Sequence, residues 1–379
     1  MADGGPLQRL SRAVGLPEHE YQIVWFGLGV ALLAWLPLLV LNALTGTLTT
    51  GSAIPFLDSI GTHVRLLVAI PLFFSAELMF HRRTAHAIAA ITDTHLVPPR
   101  ELPAFNAVLA RARKWRDGWA IEAILVVLIV VLLLEGVRTD LPRQVATWRT
   151  AADGRTSAAG WWYVAVSIPV FQFLVWRWCA RFLVWSYVLW RINRLDLQLV
   201  PTHPDRAGGL GPLGVAHSAL GPLNFAAAAV MAASFGEQIL YGGMNVRQVV
   251  QPLAAMIAGI TFILVAPLLL FMLRLMATKQ RGLIEYGRLA ADYTQRFDVK
   301  WIRTASIDKE ALMGSADIQS LADLSNAFHV IEDMRIVPFA PRQLFLLVAA
   351  AAVPVTPLIL FVVPLDELIL RGARTLLNV

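Results

Sequence analysis

Seven stretches of the chain stay apolar over the roughly 20 residues a helix needs to cross a lipid hydrocarbon core. They are Tyr21–Leu44, Ser59–Phe80, Gly118–Leu134, Trp161–Trp190, Val215–Leu240, Leu253–Met276 and Leu344–Leu365. No soluble core calls for so many runs of that length. Composition agrees: 57% of the 379 residues are hydrophobic and 15% charged, where soluble domains carry about 25% charged residues. The expected class is an all-α integral membrane protein of about seven transmembrane helices. The last is doubtful as a simple span, because Pro354, Pro357 and Pro364 interrupt it. Proline breaks or kinks a helix interior, so this segment either crosses as a broken helix or re-enters.

Loop charge sets the expected orientation. The first loop has no Lys or Arg, whereas the second carries Arg82, Arg83, Arg100, Arg111, Arg113, Lys114 and Arg116, and the loop from Lys279 to Arg342 is richer still. Basic loops stay in the cytoplasm, which places the N-terminus there too. Arg138, Arg143, Arg149 and Arg155 in the third loop go against the pattern, offset by Asp140 and Asp153. The net charge of +6 then reflects loops facing anionic lipid rather than nucleic acid. The first apolar run is too long for a signal peptide and is kept as a helix. The single cysteine, Cys179, rules out an internal disulfide and argues against a cysteine metal or redox centre.

The domains read as a cytoplasmic segment over 1–20, a six-helix core over 21–276 that includes the basic loop 81–116, a cytoplasmic helical layer over 277–342, and the proline-broken segment and tail over 343–379. Short amphipathic helices are expected on the cytoplasmic side. Leu102 to Arg116 puts Phe105, Val108, Leu109, Ala112 and Trp115 on one helical face. Tyr286, Leu289, Tyr293 and Phe297 form a stripe further on, with Arg288, Asp292 and Arg296 spaced for i,i+4 pairs. Beyond them Ser315 is a candidate N-cap for a helix with Ile318, Leu321, Leu324, Phe328 and Ile331 on its apolar face. No internal repeat is evident.

Ionisable groups inside spanning helices are costly and ask for a reason. They fall into two layers. The outer one holds His63, Arg65, Glu135 and Glu237; the inner one holds Glu77, Glu122, Arg177 and Arg181. Arg177 and Arg181 share a helix face. They either snorkel to the headgroups or pair with Glu77 or Glu122 beside a polar cavity, and the outer layer has the same two readings. Ala226, Ala229, Ala233 and Gly236 give the fifth segment a small-residue face, which serves close helix packing or lines a narrow pore with Asn224 and Glu237 as its polar ends.

The most polar passage is the loop "LVPTHPDRAGGLGPLG", Leu199 to Gly214. Glycine-rich backbone ahead of a helix start can hold an anion on free N–H groups; His203, Asp205, Arg206, Gly208 and Gly209 are its candidates. The alternative is a tight loop whose polar groups satisfy its own backbone. His203-Pro204-Asp205 lacks the soluble hairpin of a J-domain. His203 and Asp205 are too few for a metal site. Gly209, Gly211 and Gly214 lack the strand of a dinucleotide fingerprint. No metal, cofactor or catalytic set is expected.

Three motifs occur together: "HVRLLVAIPLFFSAE" (His63–Glu77), "LVPTHPDRAGGLG" (Leu199–Gly211) and "GSADIQSLADL" (Gly314–Leu324). They resemble a family of bacterial polytopic inner-membrane proteins with no assigned activity, and the resemblance covers most of the chain. It implies a bacterial cytoplasmic-membrane location, and no chemistry. The leading functional expectation is a channel or transporter for an ion or small solute, with membrane lipids and copies of itself as partners. The alternatives are a scaffold or sensor working through the cytoplasmic helices, and a membrane-embedded lipid enzyme. The last is disfavoured by the lack of DDxxD, HExxH or GxSxG patterns.

Overall fold

The computed structural model describes residues 22–138, 147–150, 155–303 and 316–359. Helices make up 80% of it and no strand occurs among the described residues, so the protein is all-α. In chain order, α1 is Gln22–Leu44, α2 Ile60–Asp93, α3 Leu102–Asp117, α4 Trp119–Arg138, α5 Ala158–Ile192, α6 Gly211–Leu240, α7 Val246–Leu269, α8 Met272–Phe297, α9 Ala316–Glu332 and α10 Pro341–Leu358. Six of these are long and apolar enough to span a membrane: α1, α2, α5, α6, α7 and α10. A seventh span is reached if α3 and α4, bent by 44° at Gly118, count as one.

Several boundaries have a local cause. Asn245 accepts from Arg247 N and Gln248 reaches back to Asn245 N, a capping box that starts α7 seven residues before the apolar run. The same helix ends at Leu269, just after Pro267, so the segment expected to run to Met276 is shared between α7 and α8. In α2 and α5 a π turn precedes a proline: Val64–Ala69 before Pro71, and Tyr163–Ser167 before Pro169. Proline offers no N–H and crowds the carbonyl four residues back; the wider turn relieves that clash without ending the helix. Helix α10 keeps its axis through Ala352, then passes into a 3-10 turn at Val353–Val355. Ser315 and Pro364 lie outside the described residues.

The central helices are α2 and α6. Helix α2 packs on α1, α5 and α6, and α6 packs on α2, α7 and α10. The small-residue face of α6 is buried: Ala226, Ala229 and Ala233 are covered, and a Cβ on Gly236 would touch Leu358 of α10. One core cluster fills the bundle around Leu66, Ile70, Phe73, Phe74, Leu174 and Trp178. A second lies where α2 and α5 end and α6 begins, around Ile91, Phe105, Leu189, Ile192, Leu213 and Phe271. Phe105, Val108, Leu109 and Ala112 of α3 enter this second cluster, as their spacing predicts, while Trp115 stays at its edge against Tyr187. The loop-side layer is therefore a packed extension of the bundle. Trp25, Leu33, Ile124, Val127, Leu183, Phe262 and Ile263 remain exposed on the outside, the arrangement of a surface solvated by lipid.

Candidate functional site

Glu77 stands 17 residues into α2, and Arg177 and Arg181 stand one turn apart on α5. Helix packing brings the three together. Arg177 donates to both carboxylate oxygens of Glu77, at 2.8 Å and 3.2 Å, and Arg181 Nη2 donates to Glu77 Oε1 at 2.8 Å. The side chains are only 20%, 8% and 20% exposed for Glu77, Arg177 and Arg181. Between the arginines, Trp178 anchors α5 to α2 by donating Nε1–H to Phe73 O at 3.1 Å. Two guanidiniums thus face one carboxylate. Glu122, in the first turn of α4, is half-buried and is not part of this trio.

The opposite end of the bundle holds the other charged candidates in separate roles. His63 Nδ1 accepts from Trp35 Nε1 at 2.8 Å, and Nε2 lies 2.9 Å from Phe56 O. An indole N–H can only donate, so the ring's other nitrogen is left to donate to the carbonyl. Glu237, at the end of α6, accepts from Gly61 N at 2.8 Å and Ser59 Oγ at 3.3 Å. A carboxylate of α6 thereby caps the start of α2, where the helix dipole favours negative charge. Arg65 donates to Tyr163 Oη at 2.5 Å and lies 5.6 Å from the Phe171 ring centroid. The side chain of Glu135 lies outside the described residues. Asn224 is buried and donates to Thr261 Oγ1 and Leu347 O, tying α6 to α7 and α10.

The glycine-rich loop is filled by its own aspartate. Asp205 Oδ1 accepts from Ala207 N at 2.8 Å and Gly209 N at 3.1 Å, and Oδ2 accepts from Gly211 N at 2.8 Å, the first residue of α6. The N–H nest that could hold an anion already holds one. His203 sits 2.8 Å from Asp205 Oδ1, and Arg206 pairs with Asp333 on the surface at 3.1 Å. Arg206, Gly208 and Gly209 all have positive φ, which lets the chain fold back over the carboxylate. A Cβ on Gly209 would lie 2.6 Å from Leu96, so the loop packs tightly against the turn after α2. Arg335, from the α9–α10 connection, donates to Asp205 O and its backbone N–H to Arg206 O. Burial lowers the pKa of Arg335, and Asp205 beside it opposes that shift. The loop is a joint between α2, α6, α8 and the α9–α10 connection.

Two features escaped the sequence reading. His217 is fully buried at the start of α6, taking Trp185 Nε1–H on Nε2 at 2.9 Å and facing Leu264 O from Nδ1 at 3.0 Å. This repeats the tryptophan–histidine–carbonyl chain of Trp35 and His63 at the other end of the bundle. The second is Arg149, whose guanidinium lies 5.2 Å from the Trp148 ring and 4.5 Å from that of Tyr163. Tryptophans 28 and 32 residues from their histidines carry no local pattern that announces either pair. No family model, curated protein or solved structure matches the chain. Among the described residues no group of His, Cys, Asp or Glu is arranged to hold a metal ion.

Proposed function

We propose that the protein is a carrier for a small anion in the bacterial cytoplasmic membrane, with Glu77, Arg177 and Arg181 at its inner binding position. The observation that carries this reading is the two-to-one ratio of guanidinium to carboxylate between α2 and α5. An uncompensated charge in a membrane interior is more expensive than a neutral pair. A trio left with one positive charge in excess instead favours an anion that comes and goes. A carrier suits the geometry better than an open channel. Leu66, Ile70, Phe73 and Phe74 of α2 fill the space between Arg65 and Glu77 and are buried, so passage requires the helices to rearrange.

Flux into proteoliposomes tests the proposal. Vesicles with reconstituted protein are expected to exchange chloride, nitrate or phosphate faster than empty vesicles, and Glu77→Gln is expected to change the rate at least tenfold. Absence of flux for each anion from folded protein would overturn it.

A scaffold role is the second reading, favoured by helices α8 and α9. They pack on each other as a hairpin, with Ile284, Leu289, Val299 and Ile302 of α8 and its extension more than half exposed. A protein inactive in every flux assay that retains a stoichiometric partner through this hairpin would favour that role.

A further inference from the structure

We propose that Arg65 and Arg149 form a binding site for a phosphate-type oxyanion, free or as a lipid headgroup, at the end of the bundle where α2 and α5 begin. The two guanidiniums approach the same phenol from different sides. Arg65 hydrogen-bonds the Tyr163 hydroxyl, and Arg149 lies over the Tyr163 ring. No carboxylate among the described residues pairs with either arginine. The Nε–H of Arg149 is buried and has no acceptor, and neither has the Nε1–H of neighbouring Trp162. Buried donors without acceptors beside two like charges suit an oxyanion, which would satisfy both. A guanidinium presents its N–H groups as a planar fork that matches the paired oxygens of an oxyanion.

Arg149 is held firmly in this position. Trp148 N donates to Ile54 O at 3.2 Å, Ser157 N donates to Arg149 O at 2.8 Å, and Ser157 Oγ donates to Trp148 O at 3.0 Å. Gly160 lets the start of α5 press against this segment, since a Cβ there would lie 2.4 Å from Arg149 O. Trp148 and Tyr163 are both buried, with their rings edge-on at 5.4 Å. Arg65 and Tyr163 each lie within a π turn, Val64–Ala69 in α2 and Tyr163–Ser167 in α5. Such turns are frequent at functional sites. By helical rise, Arg65 lies about 18 Å along α2 from Glu77. That separation fits inside a hydrocarbon core roughly 30 Å thick, so Glu77 lies within the core with Arg65 at the headgroup boundary near the start of α2. Both sources of the oxyanion reach that level. The site rests on these contacts and does not depend on transport.

The test uses the full chain, purified in detergent and stripped of lipid. It is titrated with inorganic phosphate at constant ionic strength, reading tryptophan fluorescence, with native mass spectrometry of the unstripped protein alongside. Saturable phosphate binding, weakened at least tenfold in both Arg65→Gln and Arg149→Gln, is expected for a free oxyanion. A phospholipid retained by the wild type and lost from both variants is expected for a headgroup. Neither result, or equal behaviour of wild type and folded variants, overturns the proposal. Should Arg149→Gln fail to fold, Arg65→Lys keeps the charge but loses the fork and should weaken binding at least threefold; unchanged binding would count against the site.

Discussion

Replacing Glu77 by Gln keeps the side chain's shape and removes its charge. In the native trio the carboxylate accepts three hydrogen bonds, at 2.8, 3.2 and 2.8 Å, from two guanidiniums. Deleting one partner of a buried ion pair costs about 3–5 kcal/mol, because the remaining charge is left uncompensated. The glutamine carbonyl can still accept one of those bonds, worth about 1 kcal/mol, and a fifth of the Glu77 side chain is open to its surroundings. About 3 kcal/mol is therefore expected. The triple change Glu77→Gln, Arg177→Met, Arg181→Met removes the whole set, and such replacements are often neutral or stabilising by about 1–4 kcal/mol. The triple variant should then be at least as stable as Glu77→Gln alone. Reversible unfolding in mixed micelles, titrated with a denaturing detergent, measures both. A cost below about 0.5 kcal/mol for Glu77→Gln, the range of solvent-exposed pairs, would show that water or headgroups already neutralise the arginines, and the argument from charge imbalance would fall.

Other perturbations test the glycine-rich loop and the helical hairpin. Gly209→Ala places a Cβ 2.6 Å from Leu96 at a residue with φ of +96°, and overpacking with backbone strain should cost about 1–3 kcal/mol; an unchanged melting temperature would refute the packing described. Asp205→Asn keeps only one carbonyl oxygen to accept the N–H groups of Ala207, Gly209 and Gly211, and should cost about 1–3 kcal/mol by the same assay; no loss would free the nest for an outside anion. Asp317 accepts from Lys300 and Trp301, which lower its pKa below the ordinary 3.8. A lowered folded pKa means that this contact's stabilisation is fully present above 3.8 and is lost as pH falls through the folded value. Acid titration followed by Trp301 fluorescence should show its transition below pH 3.8, and a midpoint at or above that value would refute the pairing.

The span-forming segments were legible because bilayer thickness fixes the length of an apolar helix and the chain repeats that length. The i,i+4 spacing of Arg177 and Arg181 announced a shared face, and matching depth in neighbouring spans made Glu77 an available partner. What depth could not settle was the choice between Glu77 and Glu122, since that depends on which faces of α2 and α4 turn toward α5. The roles of His63 and Glu237 were hidden for a related reason. Each is defined by a contact with another helix, Trp35 of α1 in one case and Gly61 of α2, 176 residues away, in the other. In the loop, the glycines correctly signalled unusual backbone, but an N–H nest has the same sequence whether an outside anion or the chain's own Asp205 fills it. The π turns follow from Pro71 and Pro169, though a proline in a span is equally compatible with a kink, so their form was not readable.

Set side by side, the buried polar groups of the bundle sort by whether their needs are met within the chain. His63 and His217 each lie between an indole donor and a carbonyl, Asn224 bridges three helices, and Glu237 caps one. These groups fix helix positions and need nothing further. Among the described residues the buried atoms with unmet hydrogen bonds are mixed, Arg149 Nε, Trp162 Nε1 and Arg335 Nε among the donors and Gln172 Oε1 and Asn193 Oδ1 among the acceptors, whereas the unbalanced charge is cationic: one guanidinium in excess at Glu77, and two guanidiniums around Tyr163. Cationic excess at two levels, separated by about 18 Å of helical rise, suits the anion carrier proposed above. Under that proposal the buried Leu66, Ile70, Phe73 and Phe74 between the two levels are the barrier, and the helices must move for an anion to pass.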